Sequence, residues 1–322
     1  MAGNYERILR GARLGDIPRL GRRVLGMRYL TENDFLPNVS NPEQVRIAGL
    51  AERARGVGPA PILVLGVMPR SGTNFLRDLL AMHPDVHADP QGVHEFPLLH
   101  AARGAKALRD EYISYFPENA EITGSWDALA MLSGAWMREF QITAGDQHIL
   151  LKCPHVQNLS LAPFVFPDAR IILCLRDGRD VLDSTQKSFS RRSLTRKTFA
   201  QLAWEWRLAT EAVLAFSPGG KLEHPNVMVM RYEDVVAEPE VNCRRLLDHA
   251  GLDPAHYDFD ALAALPVRGS SRSTAPEGER WKPEQKSEDF QPVRRWESWS
   301  AQNKARFGRI AGDMLEAASY AR

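Results

Sequence analysis

The chain has 322 residues, 44% of them hydrophobic, which is enough to build one large α/β domain around a real core. Its 41 Lys and Arg stand against 40 Asp and Glu, so nothing global points to nucleic acid or an anionic membrane, and any anion site must be local. Cys153, Cys174 and Cys243 are too few and too scattered for a disulfide framework or a zinc site, which leaves them as small core residues in a reducing compartment.

The opening residues, MAGNYERILRGARLGDIPRL, alternate charge with apolar groups and hold no run long enough for a signal peptide or a membrane anchor. A cytoplasmic protein without an integral membrane segment is expected. Residues 1–58, broken at Pro18, Pro37 and Pro42, read as a helical lead-in to a domain over 59–322. The first strong strand is Ile62 to Val67, a continuous apolar run of the kind found inside parallel sheets. A turn at Pro69–Gly72 follows. Phe75, Leu76, Leu79, Leu80 and Met82 then recur at helical spacing until His83-Pro84 stops them. His148–Leu151, Arg170–Leu175 and Asn226–Tyr232 read as three more strands, with helices over Phe199–Phe216 and Glu238–Ala250. This alternation predicts an α/β domain with a central parallel sheet flanked by helices, its functional loops at the carboxyl ends of the strands. Gly269 to Pro292 reads as a long loop, and Arg295 to Tyr320 returns to helical spacing.

The strand-to-helix turn Met68-Pro69-Arg70-Ser71-Gly72-Thr73-Asn74 has the composition of an anion cradle. Gly72 lets the backbone approach an anion, and the first helical N–H groups point at it. Ser71 and Thr73 add hydroxyls, while Arg70 adds a cation able to bind two oxygens. The loop lacks the Gly-Lys-Ser/Thr of a nucleoside-triphosphate loop. A second cluster, Arg176-Asp177-Gly178-Arg179-Asp180-Val181-Leu182-Asp183-Ser184, follows the Arg170–Leu175 strand. Arg176 lies at the strand end and Ser184 about two helical turns on, so both could meet one anion.

Pro69 to Leu76 resembles the 5′-phosphosulfate loop of the sulfotransferases that use 3′-phosphoadenosine-5′-phosphosulfate (PAPS), with Asn74 in place of the usual second Thr and Phe75-Leu76 as the apolar pair. Arg176 and Ser184 match that family's 3′-phosphate site, and Tyr232-Glu233-Asp234 matches its adenine-contacting Tyr. The resemblance spans about Ile62 to Leu252, more weakly Arg294-Arg295-Trp296. It lies closer to the bacterial and tyrosylprotein-type branch than to the cytosolic small-molecule branch. It implies a P-loop-like fold, PAPS as co-substrate, no metal, a hydroxyl acceptor of unknown type, and cofactor contacts from Arg70, Ser71, Gly72, Thr73, Asn74, Phe75, Arg176, Ser184 and Tyr232.

For chemistry, the resemblance implies Glu95 as general base and Lys152 as stabiliser of the transferring oxygens. His155 is the alternative base, although the family's cytosolic branch places its His one position earlier, where this chain has Pro154. His94 is a weaker candidate still. Ser270 and Ser271 resemble a Ser placed near the sulfate in some relatives, and Trp281 and Lys282 could close as a lid. Trp204 and Trp206 are expected in the core or on the acceptor-side wall rather than on the nucleotide. A homodimer is possible, and no nucleic-acid partner is expected. Two rival readings stay open: a P-loop small-molecule kinase using ATP and magnesium, and a nucleotide-binding relative without catalysis.

Overall fold

A computed structural model describes residues 30–188, 197–268, 283–285 and 291–321. Five strands form one all-parallel sheet: β1 (Ile62–Gly66), β2 (Val86–Ala88), β3 (His148–Cys153), β4 (Arg170–Leu175) and β5 (Val227–Arg231), in the order β2-β3-β1-β4-β5. A separate antiparallel pair joins β6 (Val267–Arg268) to β7 (Pro283–Glu284).

The longer helices are α1 (Asn41–Arg55), α2 (Thr73–Leu80), α3 (Ala102–Tyr115), α4 (Asp127–Ala144), α5 (Gly178–Ser188), α6 (Phe199–Leu214), α7 (Pro239–Ala250) and α8 (Ala301–Ala317). They cover both faces of the sheet, which is why β1 is apolar at every position. Ile62 and Val64 point into a core with Leu76, Leu79, Leu246 and Leu247, whereas Leu63 and Leu65 point into the larger one with Ile47, Trp206 and Phe307. The helix α1 belongs to that larger core through Ile47 and Ala51. Buried Ser133 and Gly134 of α4 let it lie close, since a Cβ on Gly134 would fall 2.4 Å from the Ala51 carbonyl oxygen. Among the described residues no helix is long and apolar enough to cross a membrane.

The sequence-based expectations for β1, β3, β4 and β5 hold to within two residues. The edge strand β2 escapes them because Val-His-Ala is too short to show a pattern. The expected continuous helix over Arg295–Tyr320 is instead a 3₁₀ turn at Arg295–Ser298, a break, and α8 from Ala301. The break exists because backbone amides at 294–296 are committed elsewhere, as described below.

Strand order decides where a ligand can sit. From β1 the chain moves to β2 and β3 on one side, then crosses over to β4 and β5 on the other. The loops leaving β1 and β4 therefore diverge around a crevice at the carboxyl edge of the sheet.

Candidate active site

β1 and β4 are adjacent in register, with Gly66 opposite Cys174 and the Val67 amide donating to the Cys174 carbonyl at 3.2 Å. The loop after β1 closes on itself as Ser71 Oγ donates to the Met68 carbonyl at 2.8 Å. Arg70 takes a positive φ of 80°, strained for a residue with a Cβ, and Gly72 lies at φ 104°. Gly72 is required on a second count, because a Cβ there would fall 2.3 Å from Cδ2 of Tyr232. Thr73 then opens α2, directing its first amides at the loop.

The two clusters separated by about a hundred residues in the sequence meet here. Arg70 Nε donates to Ser184 Oγ at 2.9 Å, and Arg176 Nη1 donates to the Arg70 carbonyl at 2.7 Å. Arg176 lies 4.4 Å over the Tyr232 ring, and Phe75 packs edge-on against the same ring at 5.8 Å. Its Nη2 reaches the Pro292 carbonyl at 2.5 Å, while its buried Nε has no partner among the described residues. Burial, then the neighbouring charges of Arg176 and Arg295, hold the Arg70 guanidinium down to about 10, still cationic at neutral pH. Crowded like charge of this kind is relieved by a bound anion. A glycine cradle shaped around Tyr232 and an orphaned donor on Arg176 both fit an adenosine bisphosphate.

Support comes from below. Trp206, fully buried, donates Nε1 to the Arg176 carbonyl at 3.0 Å, and Gly178 leaves room for its indole. Glu233 accepts from the Asp177 amide at 2.9 Å and from the Tyr320 hydroxyl at 2.9 Å. Trp204 donates Nε1 to the Leu30 carbonyl at 3.0 Å. Asn74 opens α2 beside Thr73 and is partly buried.

On the other side of β1, Lys152 sits near the end of β3 and is 8% exposed. Its Nζ lies 3.0 Å from Oε1 of Glu95, which is half-exposed. The Phe96 amide donates to the Lys152 carbonyl at 2.8 Å, tying the 94–97 segment to β3. His94 points outward and pairs with Asp89 at 3.1 Å. His155 stacks on His100 with ring centroids 4.3 Å apart, and burial, then His100 and Lys197, push it down to about 3. His100 also lines a polar cleft of about 580 Å³ with Asp34, Arg103, Trp126 and Gln157. Ser270, Ser271, Trp281 and Lys282 lie outside the described residues.

Sequence reasoning missed the part played by Asp180, which accepts three consecutive backbone amides from 294–296. Its only signal was its place between Arg176 and Ser184. A different cluster, His83, Asp85 and His256, brings potential metal ligands within 4.8 Å of one another. There His83 Nδ1 accepts from the Asp85 amide and Nε2 bonds the Asp253 carbonyl, so the ring is a structural tie.

This architecture defines an α/β protein whose β1 and β4 loops meet, with Arg70 and Arg176, at the switch point of a parallel sheet. The model of the sulfotransferase family matches residues 61–256, and the chain belongs to that family. It is 24% identical to protein-tyrosine sulfotransferase A of Caenorhabditis elegans over 195 residues, 59% of this chain and 49% of that one. It is 26% identical to nodulation protein NoeE of Sinorhizobium fredii (strain NBRC 101917 / NGR234) over 238 residues, 64% of this chain and 54% of that one. The chain thus spans about half the length of these curated relatives. Its fold is similar to the solved sulfotransferase domain of the Synechococcus PCC 7002 olefin synthase, with a TM-score of 0.50, 20% identity, and 83% and 97% of the two chains covered.

Proposed function

We propose that this protein transfers a sulfuryl group from PAPS to a hydroxyl acceptor. One observation carries the reading: Arg70, Ser184 and Arg176 join the β1 and β4 loops into a single cationic cleft closed by Tyr232. Bound PAPS supplies the sulfuryl group and the bisphosphate that leaves.

In this reading the loop amides, Arg70, Ser71 and Thr73 hold the 5′ end, and Arg176 with Ser184 holds the 3′-phosphate. Tyr232 and Phe75 flank the adenine. Lys152, buried and opposed by one carboxylate, stabilises the charge that builds on the transferring oxygens. Glu95 takes the acceptor proton. Its carboxylate is reachable from solvent, whereas the His155 ring is stacked on His100 and burial holds it below the usual imidazole range, which favours Glu95 over His155 as the base. Arg70, Arg176 and Lys152 do the charge-neutralising work that a kinase gives to magnesium, so no metal is needed. The polar cleft at His100 is assigned to the acceptor side, in a protein read as cytoplasmic.

Labelled PAPS incubated with the protein and an extract of candidate acceptors tests this directly. Transfer of label is expected, and Glu95→Gln should cut turnover by about 10²-fold or more while leaving nucleotide affinity intact. An unchanged rate in that variant clears Glu95 of the role.

A further inference from the structure

Asp180, in the first turn of α5, is 1% exposed and is not in line to touch a nucleotide through its carboxylate, because both oxygens are already used. Oδ2 accepts from the Arg294 amide at 2.8 Å, and Oδ1 from the Arg295 and Trp296 amides at 2.7 and 3.2 Å. Three successive N–H groups converge on one carboxylate because Arg294 adopts φ 60°, curling the chain into a nest around it. Bonds from amides to an ionised carboxylate are among the stronger ones available to a protein. Two further contacts bolt the same segment to α5: Arg179 stacks 3.5 Å over the Trp296 ring, and Trp299 Nε1 reaches Asp183 Oδ1 at 3.3 Å.

This investment has a consequence two residues upstream. The Pro292 carbonyl is the acceptor for Arg176 Nη2, at 2.5 Å. With Nη1 on the Arg70 carbonyl and its guanidinium carbon 4.4 Å from the Tyr232 ring centre, Arg176 is held from three sides. Its Nε is buried and unpartnered among the described residues, and each Nη keeps a second N–H beyond the bond it makes. Release of the Pro292 carbonyl would free the guanidinium to rotate about its stem and lose that aim.

We infer that Asp180 is a positioning residue that makes the nucleotide site selective for a 3′-phosphate, by clamping segment 292–296 and through it fixing the orientation of Arg176. The inference rests on the proposed placement of the 3′-phosphate at Arg176. A merely structural acid would stabilise the fold without favouring one nucleotide over another. A positioning acid affects the doubly phosphorylated ligand selectively.

The test is calorimetric affinity for adenosine 3′,5′-bisphosphate and for 5′-AMP, in the wild type and in Asp180→Asn, whose amide group turns an N–H toward a backbone N–H. The wild type should prefer the bisphosphate, and Asp180→Asn should lower that preference about tenfold or more while 5′-AMP affinity changes by less than about twofold, as expected for loss of one charge-assisted contact. A wild type without preference overturns the placement of the 3′-phosphate. A wild type with preference that Asp180→Asn fully retains overturns the role of Asp180 alone. If Asp180→Asn does not fold, amide exchange in the wild type decides, since coupling is reciprocal. The bisphosphate should slow exchange at 294–296 more than 5′-AMP does, and equal slowing by both contradicts the inference.

Discussion

His155 shows how burial can overrule residue type. Imidazole is the usual proton acceptor near neutral pH, yet this ring is stacked on His100 and held down to about 3 from 6.5. Between those values the unfolded chain binds a proton that the folded chain refuses, so this group removes stability as pH falls from about 6.5 toward 3 and has no effect above that window. His155→Phe, which keeps a ring against His100, should flatten the fall in urea midpoint across that range and leave the neutral-pH midpoint nearly unchanged. A wild-type slope in the variant would show that His155 titrates normally. That Arg70 and Gly72 lie in the turn after β1, Arg176 at the end of β4 and Ser184 about two helical turns on was legible from the apolar runs that mark the strands. The burial of His155 was not legible, since Pro154-His155 carries no mark of the His100 ring more than fifty positions earlier.

At the scale of elements, the β1-to-α2 turn is the most constrained piece of the site. Gly72 combines φ 104° with a Cβ position 2.3 Å from Tyr232. Gly72→Ala should therefore cost more than about 1 kcal/mol in urea unfolding, from backbone strain and ring displacement together, and weaken nucleotide binding as Tyr232 shifts. A variant with wild-type stability and affinity would mean the loop relaxes freely. The strands β1 and β4 announce themselves by five or six apolar residues in a row, because both their faces are covered. The strand β2 and the 294–299 segment do not. One is three residues long, and the other is shaped by backbone amides meeting Asp180 across more than a hundred positions, a pairing to which side-chain pattern is blind. The Glu95–Lys152 pair stood between these extremes. Its members were visible through family resemblance, but their contact depends on the Phe96 amide hooking the 94–97 segment onto β3.

For the whole molecule, a near-neutral sequence conceals a concentrated cationic centre. Burial, then the nearby Arg176 and Arg295, lower the Arg70 pKa while leaving it cationic at neutral pH, although the overall balance is 41 basic to 40 acidic residues. The sheet order makes this possible by bringing two loops from distant parts of the chain to one crevice. A ligand that bridges both loops should stabilise the folded chain by RT ln(1 + [L]/Kd), about 2.7 kcal/mol at a hundredfold excess over Kd. The most direct measurement is the melting temperature at equal concentrations of adenosine 3′,5′-bisphosphate, 5′-AMP and ATP with magnesium. The bisphosphate should raise it clearly above the other two; equal shifts from all three, or a larger one from ATP with magnesium, would contradict a site built for a 3′-phosphorylated adenosine.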